Sequence, residues 1–433
     1  MKILITHFFS KKNKGDAAIV SVMIAELKRV FNDAEIAISI TDPLEGESAE
    51  FEGAPLVLSP LYSAIYPHKQ SWRRILMTSY VASSTLLWAL LKKFLSVRAD
   101  FILTNDLRKV MHVYADAEMI IPCGGCYITG NDSRQSDVTI AMHLHAILLA
   151  LILNKSVYMF SQSIGPFGNG FQKYITGIIL NRVKLIFARE EFTIQTLKEM
   201  KVSDELIIKS NDVAFLFSPN TKEKMALYLA EKGVDLNHEK VGITLRKFLP
   251  PREQEIYEAE ISKFIEWLGE KRGLQVIVIP QVTSTLQKDD DREVAARLIV
   301  NDRCLVISDD LGHREIKGIY ENMDWFIGTR MHSCIFSLTA NIPTIAIEYQ
   351  YKTSGIMKDL GLEDWVIRVE DVRFDVLAQK FDSLRENREE YLKALARNLP
   401  AYKSKARNVA DELKKSYLAL ETSAVQVREW RTT

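Results

Sequence analysis

The stretch W-F-I-G-T-R-M-H-S, from Trp325 to Ser333, decides the fold of this chain. The apolar run W-F-I-G-T leads directly into the polar residues Arg330 and His332, and a second apolar run, T-I-A-I-E-Y, follows at 344–349. Continuous apolar runs, as opposed to strict alternation, are typical of strands that are covered on both faces of a sheet. The stretch therefore predicts a buried parallel strand whose carboxyl end carries charged side chains.

The same pattern recurs along the whole chain. We predict strands at 2–6, 35–40, 118–122, 156–161, 184–188, 241–246, 274–280, 304–308, 325–329 and 344–349. Segments with helical spacing separate them, and this alternation occurs twice, so it predicts an α/β protein. We expect two doubly wound Rossmann-like domains facing a cleft, with ligands at the carboxyl ends of the strands. We place the domains at 1–218 and 219–370, and expect the helices of 371–433 to pack back on the body.

Composition and charge are those of a globular protein without an affinity for polyanions. Hydrophobic residues make up 47% and charged residues 26% of the 433 residues, and 56 basic residues balance 56 acidic ones. No net field attracts nucleic acid, so we expect no nucleic-acid partner. The start M-K-I-L-I-T-H-F-F runs straight into polar residues and does not resemble a signal peptide. We therefore expect a cytoplasmic protein, in which structural disulfides are disfavoured.

Residues 75–91, I-L-M-T-S-Y-V-A-S-S-T-L-L-W-A-L-L, form an uncharged segment with basic residues on both sides. Its length is at the lower limit for a membrane span, and its central serines and threonines dilute the hydrophobicity. Two interpretations remain open. The segment is a buried helix of the first domain, or it dips into the inner leaflet of a membrane with its basic flanks against anionic lipid. A full span would split the first domain.

Two polar turns follow predicted strands at the same edge of the first sheet. In N-K-G-D-A-A-I, Gly15 permits a tight turn and Asp16 is placed to cap a helix beginning at Ala17. This motif is either a plain capped turn or a helix N-terminus that receives an anion. In S-Q-S-I-G-P-F, Ser163 lies just after a strand. Both turns are candidate substrate-binding positions.

The stretch P-C-G-G-C contains a C-x-x-C, Cys123 and Cys126. A zinc site needs four ligands, and the sequence has neither a second C-x-x-C nor a histidine at zinc-finger spacing. A redox dithiol is expected at a helix start after the first strand of a small domain, whereas this pair follows a middle strand. We predict no metal site here. Gly124 and Gly125 instead predict a turn whose backbone approaches a ligand closely.

Three arginines end apolar runs, where a doubly wound fold binds its ligands. They are Arg189 in F-A-R-E, Arg246 in G-I-T-L-R and Arg330 in G-T-R-M-H-S; Tyr349 and Lys352 close the next strand. A single strand-end arginine is often a surface ion pair. Because the planar guanidinium matches carboxylate and phosphate groups, the convergence of three predicts an anionic small substrate.

The pair Arg330 and His332 is the sharpest catalytic candidate. The two residues are two positions apart, after a strand and at a predicted helix start. An imidazole gives and takes a proton near neutral pH, and a neighbouring arginine holds an anion beside it. The alternative is a structural histidine in the core. We predict that His332 acts as a general acid or base.

Taken in their order along the chain, the motifs resemble those of the polysaccharide pyruvyl transferase family. The resemblance rests on N-K-G-D-A-A-I, P-C-G-G, S-Q-S-I-G-P, F-A-R-E-x-x-T, N-D-V-A-F, G-I-T-L-R, and G-T-R-M-H-S with N-I-P-T-I-A-I-x-Y-x-x-K. It implies a fold like that of B-type glycosyltransferases and transfer of the pyruvyl group of phosphoenolpyruvate to two hydroxyls of a saccharide. The acceptor is then a saccharide, with a polyprenyl-diphosphate carrier as one hypothesis.

The resemblance also implies roles for individual residues. Arg189, Arg330 and His332 correspond to donor-binding and catalytic positions, with Arg246 and Lys352 as helpers. Neither a metal nor an organic cofactor is required by the implied reaction. Two alternatives keep the same fold: a glycosyltransferase that uses a sugar nucleotide, and a non-enzymatic relative that binds saccharide or assembles with envelope enzymes.

Overall fold

The computed structural model describes residues 1–42, 50–61, 71–96, 99–284, 289–298, 304–349 and 352–432. Contacts group the chain into two compact units. The first unit comprises Met1–Ser10, Ile19–Val213 and Lys405–Thr433, and the second comprises Lys11–Ala18 and Ala214–Ser404.

The first unit is built on a mainly parallel sheet. Its strands are β1 (Lys2–Phe8), β2 (Glu35–Ile40), β3 (Glu50–Phe51), β4 (Ala54–Leu58), β5 (Met119–Pro122), β6 (Gly125–Ile128), β7 (Ser156–Ile164), β8 (Leu185–Ala188) and β9 (Ile207–Lys209). Its helices are α1 (Lys14–Val30, which begins in the second unit), α2 (Ser71–Leu95), α3 (Asn105–Asp116), α4 (Arg134–Ile152), α5 (Gly170–Leu180) and α6 (Glu191–Glu199). The strand order is β3-β4-β2-β1-β5-β7-β8-β9, with β6 beside β7. The β3–β4 pair is antiparallel and the others are parallel.

The second unit repeats this plan with a wholly parallel main sheet. Its strands are β10 (Lys240–Thr244), β11 (Gln275–Val278), β12 (Thr283–Ser284), β13 (Asp289–Asp290), β14 (Cys304–Val306), β15 (Trp325–Gly328), β16 (Thr344–Glu348) and β17 (Val366–Arg368). Its helices are α7 (Lys222–Glu231), α8 (Pro251–Glu270), α9 (Asp291–Ala295), α10 (His313–Tyr320), α11 (Met331–Thr339), α12 (Lys352–Asp359), α13 (Phe374–Glu386) and α14 (Arg388–Thr432), the last shared with the first unit. The order is β14-β11-β10-β15-β16-β17, and β12 and β13 form a separate antiparallel pair.

The predicted α/β class with two Rossmann-like domains is confirmed. Each predicted strand is present, and the central strands are buried along nearly their whole length, as in β5 and β15. The prediction missed β3, β4, β6, β9, β12, β13 and β17. Two of these, β9 and β17, lie at the sheet edges and are only partly buried, so their sequences lack the continuous apolar run of a central strand.

The division of the chain differs from the predicted ranges 1–218, 219–370 and 371–433. Lys11–Ala18 follows β1 in sequence but belongs to the second unit, and α14 is divided after Ser404. Backbone hydrogen bonds explain the first difference, because Lys14 N donates to Gln281 O at 3.1 Å and Thr283 N donates to Lys12 O at 3.0 Å. These bonds join two stretches that are far apart in the sequence.

Strand order marks one ligand-binding edge in each unit. The chain order reverses between β1 and β5 in the first sheet and between β10 and β15 in the second. Open parallel sheets bind ligands outside the carboxyl ends of their strands at such a reversal. The residues after β1, β5, β10 and β15 are therefore candidate ligand-binding residues.

The uncharged segment 75–91 lies within α2, which is neither fully buried nor fully exposed. Val81, Trp88 and Ala89 are buried, whereas Ile75 and Leu87 are 67% and 49% exposed. Among the described residues, α2 and α4 are long and apolar enough to cross a membrane by length and composition alone, with 28% and 39% of their most apolar windows buried. That test does not distinguish a core helix from a membrane helix.

Candidate functional site

The carboxyl ends of β10 and β15 meet in register. Thr244 pairs with Gly328 across the two strands. The Thr244 hydroxyl accepts a hydrogen bond from Thr329 N at 3.1 Å and lies 2.7 Å from the Ser333 hydroxyl. These bonds fix the start of α11, and with it the positions of Arg330 and His332.

Arg330 is held by two carboxylates at this edge. Its Nη2 lies 2.5 Å from an oxygen of Asp289 and 2.5 Å from an oxygen of Asp291, and its Nη1 donates to Asp289 at 3.0 Å. Arg330 is only 7% exposed and Asp291 only 2%. The guanidinium charge is therefore already balanced inside the protein.

The titration of these groups follows from burial and from their mutual attraction. Burial opposes the charged form of Arg330, but Asp291 and Asp289 outweigh it and raise the pKa of Arg330. Burial raises the pKa of Asp291, and Arg330 offsets only part of that effect. Burial acts in the same direction on Asp289, but there the hydrogen bond and charge of Arg330 prevail and the pKa is lowered. Asp289 is thus the more firmly ionised of the two carboxyls.

Arg246 approaches the same carboxylate from the end of β10. Its Nη2 lies 3.6 Å from an oxygen of Asp289, and its side chain is 23% exposed. The guanidinium carbon lies 4.5 Å from the ring centre of Tyr349 and 5.8 Å from that of Phe248, which is cation–π range. Arg246 Nε is buried and has no hydrogen-bond partner within the described part of the chain. Two arginines thus flank one carboxylate, and Arg246 is the less saturated.

His332 lies in the first turn of α11, with Gly15 directly against its ring. A Cβ atom added to Gly15 would lie 2.2 Å from Nδ1 and 2.4 Å from Cγ of His332. No side chain fits at that distance, so glycine is required here for the approach of the imidazole. The turn predicted to bind substrate is therefore a neighbour of the predicted catalytic histidine.

One hydrogen-bonded network connects this turn to Arg330. Asp291 accepts from Gln281 N at 3.0 Å and from Val282 N at 2.9 Å, and Gln281 O in turn accepts from Lys14 N. Asp291 therefore orients Arg330 on one side and the segment beside Gly15 on the other.

The predicted cap of α1 is wrong. The helix begins at Lys14, and the Asn13 side chain accepts hydrogen bonds from Gly15 N at 3.1 Å and Asp16 N at 3.4 Å. Asp16 lies inside the first turn and is 8% exposed. Since Lys14 N is also bonded, the first donors of α1 are occupied, and this favours the capped turn over an open anion site.

Two lysines beside this turn were not predicted. Lys14 is buried, and its Nζ lies 3.7 Å from an oxygen of Asp310. Lys12 forms an ion pair with the same carboxylate. The motif N-K-G-D contained Lys14, but sequence alone gave no reason to place Asp310 beside it.

Lys352, a predicted substrate-binding residue, is 6% exposed at the start of α12.

Arg189 and Ser163 lie in the first unit, in a second buried network. Arg189 Nη1 is 2.5 Å from Asp212, and its Nη2 donates to the Ser163 hydroxyl at 2.6 Å. Ser163 in turn donates to Glu190 at 2.6 Å. Arg189 follows β8, away from the reversal between β1 and β5. Its role in binding a donor stays a prediction.

Gly124 and Gly125 follow β5 at the reversal of the first sheet, and Gly125 is the first residue of β6. A Cβ on Gly124 would lie 3.1 Å from the carbonyl oxygens of Phe160 and Ser161, and a Cβ on Gly125 would lie 2.3 Å from the Tyr127 ring. Internal packing alone therefore accounts for both glycines. Contact with a ligand stays a prediction.

Cys123 and Cys126, which lie beside these glycines, are thiols and not members of a disulfide, and Cys123 Sγ donates to Gly124 O at 3.5 Å. Among the described residues, no group of three or more His, Cys, Asp or Glu side chains could hold a metal ion.

A pair of buried histidines beside the end of β1, His7 and His143, was not predicted from the sequence. His7 is the penultimate residue of β1 and has a φ of 67°, and its Nε2 donates to His143 O at 3.0 Å. The two rings stack with centres 5.1 Å apart, and Tyr127 lies 5.6 Å from His143. Burial lowers the pKa of His7 to about 4 and the pKa of His143 well below its usual value. Both rings are therefore neutral at pH 7.

Comparison with known proteins places these features in context. The family model described as polysaccharide pyruvyl transferase matches residues 13–351. Amylovoran biosynthesis protein AmsJ of Erwinia amylovora is 29% identical over 261 residues, a match that covers 58% of this chain and 63% of AmsJ. The chain therefore spans less than two thirds of the length of this relative.

Solved structures share the fold over nearly the full chain. A putative UDP-N-acetylglucosamine 2-epimerase from Listeria monocytogenes superposes with a TM-score of 0.60 at 10% identity, covering 96% of both chains. A glycosyltransferase from Rickettsia africae gives a TM-score of 0.55 at 15% identity, covering 96% of this chain and 98% of its own. At such low identity these likenesses show a fold of the B-type glycosyltransferase class and nothing of the substrate.

Substitution of Gly15 tests the contact with His332. We expect Gly15→Ala to displace the imidazole, to shift its NMR resonances, and to lower the free energy of unfolding by about 1–3 kcal/mol, as for an overpacked site. Gly355→Ala is the matched control in the second unit, because a Cβ there meets nothing within 4 Å. Unchanged His332 resonances in Gly15→Ala would refute the contact.

The buried histidines predict acid sensitivity. The pKa of His7 is lowered from 6.5 to about 4, so the unfolded chain binds the proton more tightly between these pH values. The contribution of neutral His7 to the free energy of unfolding is complete above pH 6.5 and declines as the pH falls towards 4. Measured by urea unfolding, the free energy of unfolding of His7→Gln should fall about 2 kcal/mol less than that of the wild type between pH 7 and pH 5. The exposed His238→Gln should keep the wild-type difference; equal losses in all three proteins would contradict this account.

Proposed function

Because the chain belongs to the polysaccharide pyruvyl transferase family, we propose that it transfers the pyruvyl group of phosphoenolpyruvate to two hydroxyls of a saccharide. The products are a cyclic pyruvate ketal and inorganic phosphate. Similarity to AmsJ, named for amylovoran biosynthesis, supports a role in the biosynthesis of a cell-surface polysaccharide.

The guanidinium of Arg246, beside Asp289 and Arg330, carries this proposal. It lies within the second unit at the reversal of strand order, where a doubly wound fold binds ligands. Asp289 and Asp291 already balance Arg330, whereas Arg246 is partly exposed and keeps a hydrogen-bond donor for an anion. Phosphoenolpyruvate carries both a carboxylate and a phosphate.

Arg246 is the better candidate for direct contact with the donor. Its Asp289 contact is 3.6 Å, and its Nε has no partner in the part of the chain that the structure describes. Arg330 is saturated by two buried carboxylates, so its main effect is to position Asp289 and the start of α11. We therefore assign donor binding to Arg246, with Arg330 holding the surrounding framework.

His332 is the proposed acid and base. In its protonated form it gives a proton to the methylene carbon of phosphoenolpyruvate, which turns the enol carbon into a cation stabilised by its oxygen substituent. A sugar hydroxyl adds to that carbon and loses its proton. The bond from carbon to the phosphate oxygen then breaks, and the second hydroxyl closes the ketal. One hydroxyl proton restores the acid and the other leaves with phosphate, so the reaction balances without a further reactant.

The remaining predicted residues have proposed supporting roles. Tyr349 supports Arg246 by stacking, and Gly15 admits the ring of His332. Lys352 is a further cation close in sequence to Tyr349. We propose that Ser163 and Arg189 of the first unit also bind substrate.

The reaction is tested directly with phosphoenolpyruvate and a panel of saccharides, including lipid-linked ones. Wild-type protein should release phosphate only with an acceptor and should increase the acceptor mass by one ketal. His332→Ala should lose at least about a hundredfold in rate, the range expected for a general acid or base. Transfer of sugar from a nucleotide sugar, with phosphoenolpyruvate untouched, would establish the alternative glycosyltransferase function instead.

The assignment of Arg246 is tested by its charge. We expect Arg246→Gln to lower kcat/KM for phosphoenolpyruvate roughly ten- to a hundredfold, because a charge-assisted hydrogen bond contributes about 1.5–3 kcal/mol. Arg252→Gln, on the exposed surface of α8, is the matched control and should leave kcat/KM unchanged. If Arg246→Gln behaved like the control, the donor would lie elsewhere.

A further inference from the structure

Helix α2 exposes an apolar stripe along its whole length. The stripe consists of Trp72, Leu76, Tyr80, Leu87, Leu90 and Phe94, each 39% to 71% exposed. Their spacings of three, four or seven residues place them on one face of the helix. Ser79 and Ser83 are the exposed polar residues within it. Twenty-two helical steps of 1.5 Å make the stripe about 33 Å long. Globular proteins rarely leave a contiguous apolar surface of this extent without a binding role.

The opposite face of α2 is fixed to the first unit. Val81, Trp88 and Ala89 are buried there at 2% exposure or less. The Thr85 hydroxyl lies 3.0 Å from His145 Nε2 on α4, and Trp88 Nε1 donates to Asp100 at 2.9 Å. The stripe is therefore the outer face of an anchored helix.

Helix α2 carries positive charge near both of its ends and no negative charge. The helix contains no Asp or Glu, while Arg73 and Arg74 lie near its start and Lys92 and Lys93 near its end. The Arg73 guanidinium lies 5.2 Å from the Trp72 ring centre, and the Lys93 ammonium lies 5.5 Å from that of Phe94. Aromatic and basic side chains together are typical of helices that lie in the headgroup region of a membrane.

A second copy of this chain does not fit the stripe. If two copies paired through α2 in parallel, arginines would face arginines; if antiparallel, arginines would face lysines. Both arrangements place like charges together at both ends, which is destabilising. An anionic surface, in contrast, complements the cations at both ends of the helix at once.

We propose that α2 docks lengthwise on an anionic lipid bilayer, with its apolar stripe among the lipid chains and its basic ends against the headgroups. Tyr80 donates to Ile102 O at 2.9 Å, and this links α2 to the turn that carries Phe101, which is 81% exposed. Phe101 extends the docking surface beyond the helix. This inference is independent of the proposed pyruvyl transfer.

The proposal is tested by co-sedimentation of the full chain with vesicles. Wild-type protein should bind vesicles of equal parts phosphatidylcholine and phosphatidylglycerol, and should bind pure phosphatidylcholine much more weakly. Leu76→Glu with Leu87→Glu should abolish binding, since both side chains are exposed and their replacement does not disturb the core. Arg73→Gln with Lys93→Gln should weaken binding to the anionic vesicles about fivefold for each charge removed.

Leu227→Glu is the matched control, because Leu227 is 67% exposed on α7 in the second unit. It should bind vesicles like the wild type, and all variants should melt at the wild-type temperature. Failure of the wild type to bind anionic vesicles, or unchanged binding by the Leu76/Leu87 variant, would overturn the proposal. So would a lipid-free dimer that this variant converts to a monomer. Phosphate release with a soluble acceptor, measured in parallel, reports separately on pyruvyl transfer.

Discussion

The buried ion pair between Arg330 and Asp291 is the contact on which the ligand-binding edge of the second unit depends. Asp291 holds the guanidinium with one oxygen and two backbone N–H groups, those of Gln281 and Val282, with the other. Through Gln281 the same network reaches Lys14 and the start of α1. Loss of one partner of a buried pair costs about 3–5 kcal/mol, because the remaining charge is left uncompensated. The pair thus fixes the positions of strand end, turn and helix start together.

Because of this pairing, the two arginines of the site differ in the hydrogen-bonding capacity that they have left for a ligand. Arg330 is held by two carboxylates, whereas Arg246 has a longer ion pair, a cation–π contact with Tyr349 and an Nε that has no partner among the described residues. A buried, fully paired arginine has little left to offer a substrate, and a partly exposed one keeps its hydrogen-bonding capacity. Gly15 completes the arrangement, because any side chain there would occupy the space of the His332 ring.

The first unit also contains a buried arginine–carboxylate pair, but this pair does not lie at the reversal of strand order. Arg189 and Asp212 form a second buried pair after β8, while the reversal between β1 and β5 holds the neutral pair His7 and His143. Neutral imidazoles suit that place because burial penalises their charged forms. The same unit carries α2, whose outer face is apolar and whose ends are basic.

The sequence determined the strands, the two doubly wound units and the family, because continuous apolar runs and an ordered series of motifs are local signals. It also brought Arg246, Arg330, His332 and Tyr349 forward, since each lies at a strand end. Only the tertiary structure decided that Lys11–Ala18 belongs to the second unit, and that Asn13 caps α1. It alone placed Asp289 between two arginines and Gly15 against His332. Those contacts join residues that are far apart in the sequence, and no local pattern in a chain specifies which distant carboxylate will neutralise a buried arginine.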